Sequence, residues 1–305
     1  MAKISVVINT LNEEKNLPRA VASVRGLADE IIVCDMESDD NTAKVAEGLG
    51  AVVYTHKRTG YVEPARNFAI SKASGDWILI LDADEELPKS LASKLKDVAV
   101  KSKADYFRVP RKNIVFGKWM RYSRWWPDFN IRFFKKGRVT WNEVIHSVPM
   151  TQGIGSDFPE KEENAIIHHN YYSIQQYLER MNHYTTIQAE TLIREKHKFI
   201  WKDLLRKPIG EFLSRYFAGE GYKDGLHGLS ASLLQAFSEI IVYLKVWEKE
   251  KFLEQTISED EILNEYKEVK KEFDWWITDL IIKSKDVITS LPFRFARRLS
   301  KRGTK

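Results

Sequence analysis

The ten residues from Trp77 to Glu86, WILILDADEE, constrain this chain more than any other stretch. Trp77, Ile78, Leu79, Ile80 and Leu81 form an apolar run with no polar alternation, the pattern of a parallel strand buried on both faces. Such a strand lies inside a sheet covered by helices. It ends abruptly in Asp82 and Asp84, separated by the small residue Ala83. In open α/β sheets ligands bind in the crevice at the carboxyl ends of the strands, so acids placed there face a site. Two neighbouring carboxylates resist joint ionisation unless positive charge lies between them, and a divalent cation supplies it. An all-oxygen donor set favours Mg²⁺ or Mn²⁺ over zinc. The competing structural role, capping the turn before Pro88, is outweighed by the position of both acids directly after a buried strand.

The first hundred residues alternate strand and helix. Ile4 to Ile8, Glu30 to Cys34, Ala51 to Tyr54 and Trp77 to Leu81 read as strands. Ala20, Val21, Val24 and Leu27 mark one helix face, and Thr42 to Leu49 and Val62 to Ala73 give two more helices. This alternation predicts an α/β fold with a mostly parallel sheet flanked by helices. The first strand is followed by Thr10, Leu11, Asn12, Glu13 and Glu14, without the glycines of a dinucleotide-binding turn, and no phosphate-loop motif occurs. A bound nucleotide would therefore be held by side chains and a metal.

The C-terminal third turns helical. Ser173 to Lys196 places Tyr177, Met181, Tyr184 and Ile187 on one face, and Leu226, Leu229, Leu233, Phe237, Ile240, Leu244 and Trp247 follow a helical stripe. The second segment approaches the length of a membrane span. Gln235, Glu239 and Lys245 argue for an interfacial or core helix instead. Asp260 to Ile282 is a further amphipathic helix. The formal charge of +5 is concentrated at the end, where Arg294, Arg297, Arg298, Lys301, Arg302 and Lys305 have no acid among them. The single cysteine, Cys34, excludes an internal disulfide and suits a reducing compartment. Met1 to Lys3 runs straight into a strand pattern, so no secretory leader is expected.

Taken together, SVVINTLNEEKNL, IIVCDMESDDNT and PARNFAISKASGDWILILDADEE resemble glycosyltransferase family two, whose members have the GT-A fold. The segments WPDFNIRFFKKGRVTWNEVIH, HHNYYSIQQYLERMNHYT and YKDGLHGLSASLLQAFSEIIVYLKVWE resemble its branch of lipopolysaccharide-core glucosyltransferases. The likeness covers roughly residues 3 to 250. It implies a catalytic domain over 1–170, a helical extension over 171–255 that packs on it, and a C-terminal helix with a basic tail over 256–305.

The resemblance implies residue roles. Thr10 and Glu13 would lie beside the nucleoside, Asp35 would accept from the uracil edge, and Arg66 would reach the phosphates. Ser38 and Asp40 would shape the turn after Asp35; capping of the helix at Thr42 is the plainer role for Asp40. Asp84 would hold the metal, with Asp82 nearer the ribose of the nucleotide sugar or bridging to the metal through water, and His146 as a third contact to the metal or diphosphate. Asp128 would be the general base, with Glu143 as rival because Pro127 stands where the family often has a glutamate, and Arg132 would steady the base or a phosphate. Trp125 and Trp126, beside Asp128 and near Trp119 and Tyr122, would offer faces to the acceptor sugar. His168 and His169 read as structural.

The implied activity is inverting, metal-dependent transfer of a sugar, glucose or a relative, from a UDP-sugar to a lipid-linked saccharide such as lipopolysaccharide core. The alternatives are a polyprenyl-phosphate glycosyltransferase and a non-catalytic saccharide-binding scaffold. The amphipathic, basic C-terminus points to an anionic membrane surface at the cytoplasmic face. No nucleic acid partner is expected.

Overall fold

In the computed structural model, which describes residues 2–59, 62–142 and 149–299, the apolar run is a central strand, β4 (Trp77–Asp82). The elements before it are β1 (Ile4–Thr10), α1 (Leu17–Val24), β2 (Glu30–Asp35), α2 (Thr42–Gly48), β3 (Val52–Thr55) and α3 (Glu63–Lys72). After it come β5 (Glu85–Glu86), α4 (Lys89–Lys101), β6 (Tyr106–Val115), β7 (Lys118–Trp119), β8 (Asp128–Lys135), β9 (Val139–Thr140), β10 (Met150–Thr151), β11 (Gly155–Asp157) and β12 (Ile166–Tyr171). The main sheet runs β3-β2-β1-β4-β8-β6-β12-β5. Its first four strands are parallel, as the alternation predicts, whereas β8 runs antiparallel to both β4 and β6, so the sheet as a whole is mixed.

Alternate residues of each buried strand serve opposite faces. Val6, Ile8, Leu79 and Leu81 pack with Leu17, Val21 and Val24 of α1 and with Leu91 and Leu95 of α4. Val7, Ile32, Ile78 and Ile80 pack with Ala65, Ala69 and Ile70 of α3. Helices on both faces explain why β1 and β4 carry no polar alternation. Three strands extend past their apolar runs by one or two residues, to Thr10, Asp35 and Asp82. The register then pairs Thr10 with Asp35 and Asn9 with Asp82, so β1 sets the spacing of the polar ends on either side of it.

The chain divides into two compact units, one of Met1–Ile114 and Trp126–Asn170, the other of Val115–Trp125 and Tyr171–Lys305. The second unit contains α5 (Ile174–Arg194), α6 (Asp203–Leu213), α7 (Leu226–Lys249), α8 (Glu259–Ser284) and α9 (Leu291–Leu299). Val115–Trp125 is tied into it by Asp224, whose carboxylate accepts from the backbone N–H groups of Arg121 (3.0 Å) and Tyr122 (2.9 Å). Arg206 of α6 pairs with Glu265 of α8, and Ser258 opens α8 with a reciprocal cap to Glu261.

On two helices the structure shows which residues are buried. On α5 the buried residues are Tyr177, Thr185 and Ala189, while Tyr184 is exposed. On α7 they are Gly228, Ala231, Ser232, Ala236, Val242, Tyr243 and Val246, and the large residues Leu226, Leu233 and Phe237 face outward. Close approach fixes one position on this face: a Cβ on Gly228 would stand 1.8 Å from the Gly221 carbonyl oxygen, so no side chain fits there. Among the described residues α7 is the one helix long and apolar enough to cross a membrane, by length and composition alone.

Candidate active site

At the carboxyl ends of β1 and β2, Asp35 is buried and ordered by its neighbours. Its Oδ1 accepts from the Ser38 hydroxyl at 2.6 Å and its Oδ2 from the Ser38 N–H at 3.1 Å, with the Thr10 hydroxyl 3.4 Å from Oδ1. Ser38 thus closes a turn back onto the strand end, and Thr10 and Asp35 meet at the ends of neighbouring strands. Glu13 is engaged at the entry to α1, where its carboxylate accepts from Asn16 at 2.8 Å. Asp40 accepts from the Thr42 N–H at 2.9 Å, the capping role, and from the Glu14 N–H at 3.2 Å.

The end of β4 is a charged cluster. Asp82 faces two guanidinium groups, Arg66 of α3 at 3.1 Å and Arg132 of β8 at 2.5 Å. Burial alone would raise its carboxyl, but Arg132 and Arg66 outweigh that and hold it well below the usual carboxylate value. Arg132 owes its direction to an irregularity in β8: the register with β6 passes from Ile131 to Phe133, leaving Arg132 as the additional residue. Such bulges re-aim side chains. Arg132 is 4% exposed, and its Nε and that of Arg66 are buried donors without partners.

Asp84 lies 3.5 Å from His168 Nε2, and its backbone carbonyl accepts from the His169 N–H at 3.0 Å. It is 8% exposed, so this acid is set into the protein surface and not merely appended to a loop. Among the described residues no three His, Cys, Asp or Glu side chains converge as a metal cage. The arrangement fits the other way of holding Mg²⁺ or Mn²⁺, in which one or two carboxylates supply the protein contacts and water and substrate phosphates complete the shell. Unpartnered Arg66 and Arg132 N–H groups beside those carboxylates suit the phosphates.

Asp128 begins β8 directly opposite Arg111 of β6. Its Oδ2 accepts from Arg111 Nε (2.8 Å), lies 2.6 Å from Arg111 Nη2 and accepts from Asn113 Nδ2 (3.1 Å), whereas Oδ1 accepts from Asn130 at 3.0 Å. Burial opposes ionisation, yet Arg111 and the amides prevail and lower its carboxyl from the ordinary value. Oδ1 is the oxygen with the lighter load and the side from which a proton could be taken.

Three further residues, Glu85, Arg111 and Asn113, complete the cluster. Glu85, fully buried, places Oε1 2.7 Å from Arg132 and 3.4 Å from Arg111, while Oε2 accepts from the Asp82 N–H at 2.9 Å. Arg111 and Asn113 share one face of β6. His168, read as structural, lies against this cluster, with Nδ1 2.7 Å from Asn113 Oδ1. Because Asn113 must donate to the Asp128 carboxylate, its oxygen faces the imidazole, which places the proton on Nδ1. His169 keeps a structural place, 3.4 Å from Glu86. The i, i+2 spacing of Arg111 and Asn113 was visible in the sequence, but their pairing with Asp128 depends on strand register.

Glu143 and His146 lie outside the described residues. The segment leading to them is pinned by Asn67, which donates to the Trp141 carbonyl at 2.7 Å and accepts from its N–H at 2.9 Å. Trp126 belongs to the first unit and Trp125 to the second, where Trp125 packs with Val115, Met120 and Ala231 and lies under Arg215.

Residues 5–159 match the family described as Glycosyl transferase family 2. An uncharacterized glycosyltransferase of Rickettsia typhi is 30% identical over 279 residues, spanning 88% of this chain and 95% of that protein. The lipopolysaccharide core biosynthesis glycosyltransferase LpsC of Rhizobium meliloti is 24% identical over 253 residues, 81% of this chain and 92% of that one. Among solved structures, glucosyl-3-phosphoglycerate synthase from Mycobacterium tuberculosis, in complex with Mn²⁺, UDP and glucosyl-3-phosphoglycerate, aligns with 38% of this chain and 45% of its own at 25% identity and TM-score 0.32. That superposition is too partial to carry a functional argument.

Proposed function

Because the chain belongs to glycosyl transferase family 2, we propose that it moves a sugar from a UDP-sugar, glucose or a relative, to a hydroxyl of a lipid-linked saccharide such as lipopolysaccharide core, with inversion. The observation that carries this reading is the joining of two half-sites through one polar cluster: Asp82, Asp84, Arg66 and Arg132 on the donor side, Asp128 on the acceptor side. Thr10 and Asp35 hold the nucleoside, and Arg66 and Arg132 face the diphosphate. Asp84, with Asp82, would hold Mg²⁺ or Mn²⁺, which when bound offsets negative charge developing on the diphosphate. The acceptor oxygen bonds to the anomeric carbon as the bond to the diphosphate oxygen breaks, UDP leaves with that electron pair, and Asp128 Oδ1 takes the hydroxyl proton. Trp126, two residues before Asp128, offers its ring to the acceptor. The similarity to LpsC supports the lipid-linked acceptor.

A thermal-shift screen of nucleotide sugars with and without Mn²⁺ tests the donor. UDP-glucose or a close relative at a hundred times its dissociation constant is expected to stabilise the protein by about 2.7 kcal/mol, with Mn²⁺ enhancing the shift. No shift with any UDP-sugar would overturn the reading.

One observation favours a polyprenyl-phosphate acceptor instead. Asp128 is held ionised by Arg111 and is thereby a weak base, and a phosphate oxygen needs little help in losing a proton. A non-catalytic scaffold is disfavoured by the intact set of Asp35, Arg66, Asp82 and Asp84.

The acceptor places the enzyme at the cytoplasmic face of a membrane, and α9 suits an anionic surface. Leu291 and Phe295 are exposed beside exposed Arg294 and Arg298, whereas Arg297 is turned onto Asp279 of α8. Each basic residue near such a surface contributes about 1 kcal/mol, attenuated by salt. The full chain is expected to cosediment with anionic vesicles at low salt and a chain ending at Ser290 to stay behind. Equal pelleting of both would remove α9 from the anchor and leave the outward apolar stripe of α7.

A further inference from the structure

Among the described residues the cluster sets three acids, Asp82, Glu85 and Asp128, against three guanidinium groups, Arg66, Arg132 and Arg111, with Asp84 as a fourth acid beside His168. Glu85 is the only one of these acids with no exposure, and it touches both arginines that clamp the other two. The same Arg132 nitrogen stands 2.5 Å from Asp82 and 2.7 Å from Glu85, so the two acids divide one cation between them. Glu85 also fixes the main chain, since its second oxygen accepts from the Asp82 N–H. A buried carboxylate held by three donors, one strand turn from the donor acids, does more than fill space.

We propose that Glu85 is a positioning residue that sets how strongly Asp82 is drawn onto Arg132, and so how available the donor acids are to a divalent cation. The inference rests on the donor reading given above. With Glu85 neutral, Arg132 and Arg111 have lost a shared anion, Asp82 becomes the sole acid beside Arg132, and net positive charge rises where the diphosphate binds. Cation binding should weaken while binding of the bare anion strengthens. A role confined to folding would not move the two in opposite directions.

The test is Glu85→Gln, nearly isosteric, with titration of Mn²⁺ in a UDP-sugar hydrolysis assay and calorimetry of UDP without metal. The expected result is a rise of about tenfold in the Mn²⁺ concentration for half-maximal rate, and metal-free UDP affinity equal to or above that of the wild type, since one unit charge is removed within a few ångströms of the site. Arg111→Gln removes a cation from the same cluster, on a side chain that is part exposed, and is expected to shift both quantities the opposite way. The double variant restores the balance and should return the Mn²⁺ requirement towards the wild-type value. If Glu85→Gln does not fold, the opposite shifts in Arg111→Gln decide the matter alone. Wild-type UDP binding combined with an unchanged Mn²⁺ requirement in these variants would overturn this inference and leave the donor reading standing. Failure of the wild type to bind UDP would overturn both.

Discussion

Asp84→Asn is expected to lower turnover by about 10³-fold or more, the scale of losing a principal electrostatic stabiliser of a leaving group. The fold should survive. Asparagine keeps the shape of the side chain, and the main-chain anchor of this loop, the Asp84 carbonyl accepting from the His169 N–H at 3.0 Å, does not involve the carboxylate. What is lost is the negative charge of Asp84. The variant should therefore melt within a few degrees of the wild type, and Mn²⁺ should no longer enhance its stabilisation by UDP. Wild-type turnover at saturating Mn²⁺ would remove Asp84 from the metal site. Asp82→Asn is a weaker test, because Asp82 already answers two arginines and its loss would unbalance them as well.

Asp128→Asn carries the second large effect. Removal of a general base costs about 10²- to 10⁴-fold in rate, and UDP affinity should change little because the side chain belongs to the acceptor half. The pH dependence separates this from a structural loss. The folded-state value of Asp128 is lowered from the ordinary 3.8, so its ionised form contributes stability above that value, and the contribution disappears as pH falls through the folded value. Asp128 as base then predicts a kcat/KM that stays flat as pH falls through 5, with its acid limb below 3.8. An acid limb near neutrality, or full activity in Asp128→Asn together with loss in Glu143→Gln, would move the role to Glu143. Near-normal turnover in both variants would favour the phosphate acceptor, for which no strong base is required.

The sequence by itself determined the strand-helix alternation of the first unit and the parallel run of its first four strands. The unbroken apolar run ahead of Asp82 could only be a strand covered on both faces, and the strand-helix alternation before it made the neighbouring strands parallel. Those patterns are local, repeating every two or 3.6 residues, and were legible without partners.

Tertiary structure decided the rest, because it depended on contacts between residues far apart in the chain. Glu85 sits within the most informative stretch of the sequence, yet nothing local separates it from Asp84 and Glu86; its partners, Arg111 and the Arg132 brought inward by the bulge in β8, come from distant strands. Arg111 and Asn113 became partners of Asp128 through the antiparallel register of β6 and β8, which a one-residue slip would have reversed. His168 lies against the cluster because β12 pairs it with Glu85. On α7, hydrophobicity favoured the large residues for burial. At Gly228 the nearness of the Gly221 carbonyl excludes any side chain, since packing distance is set by the neighbouring backbone and is not written in the helix's own periodicity.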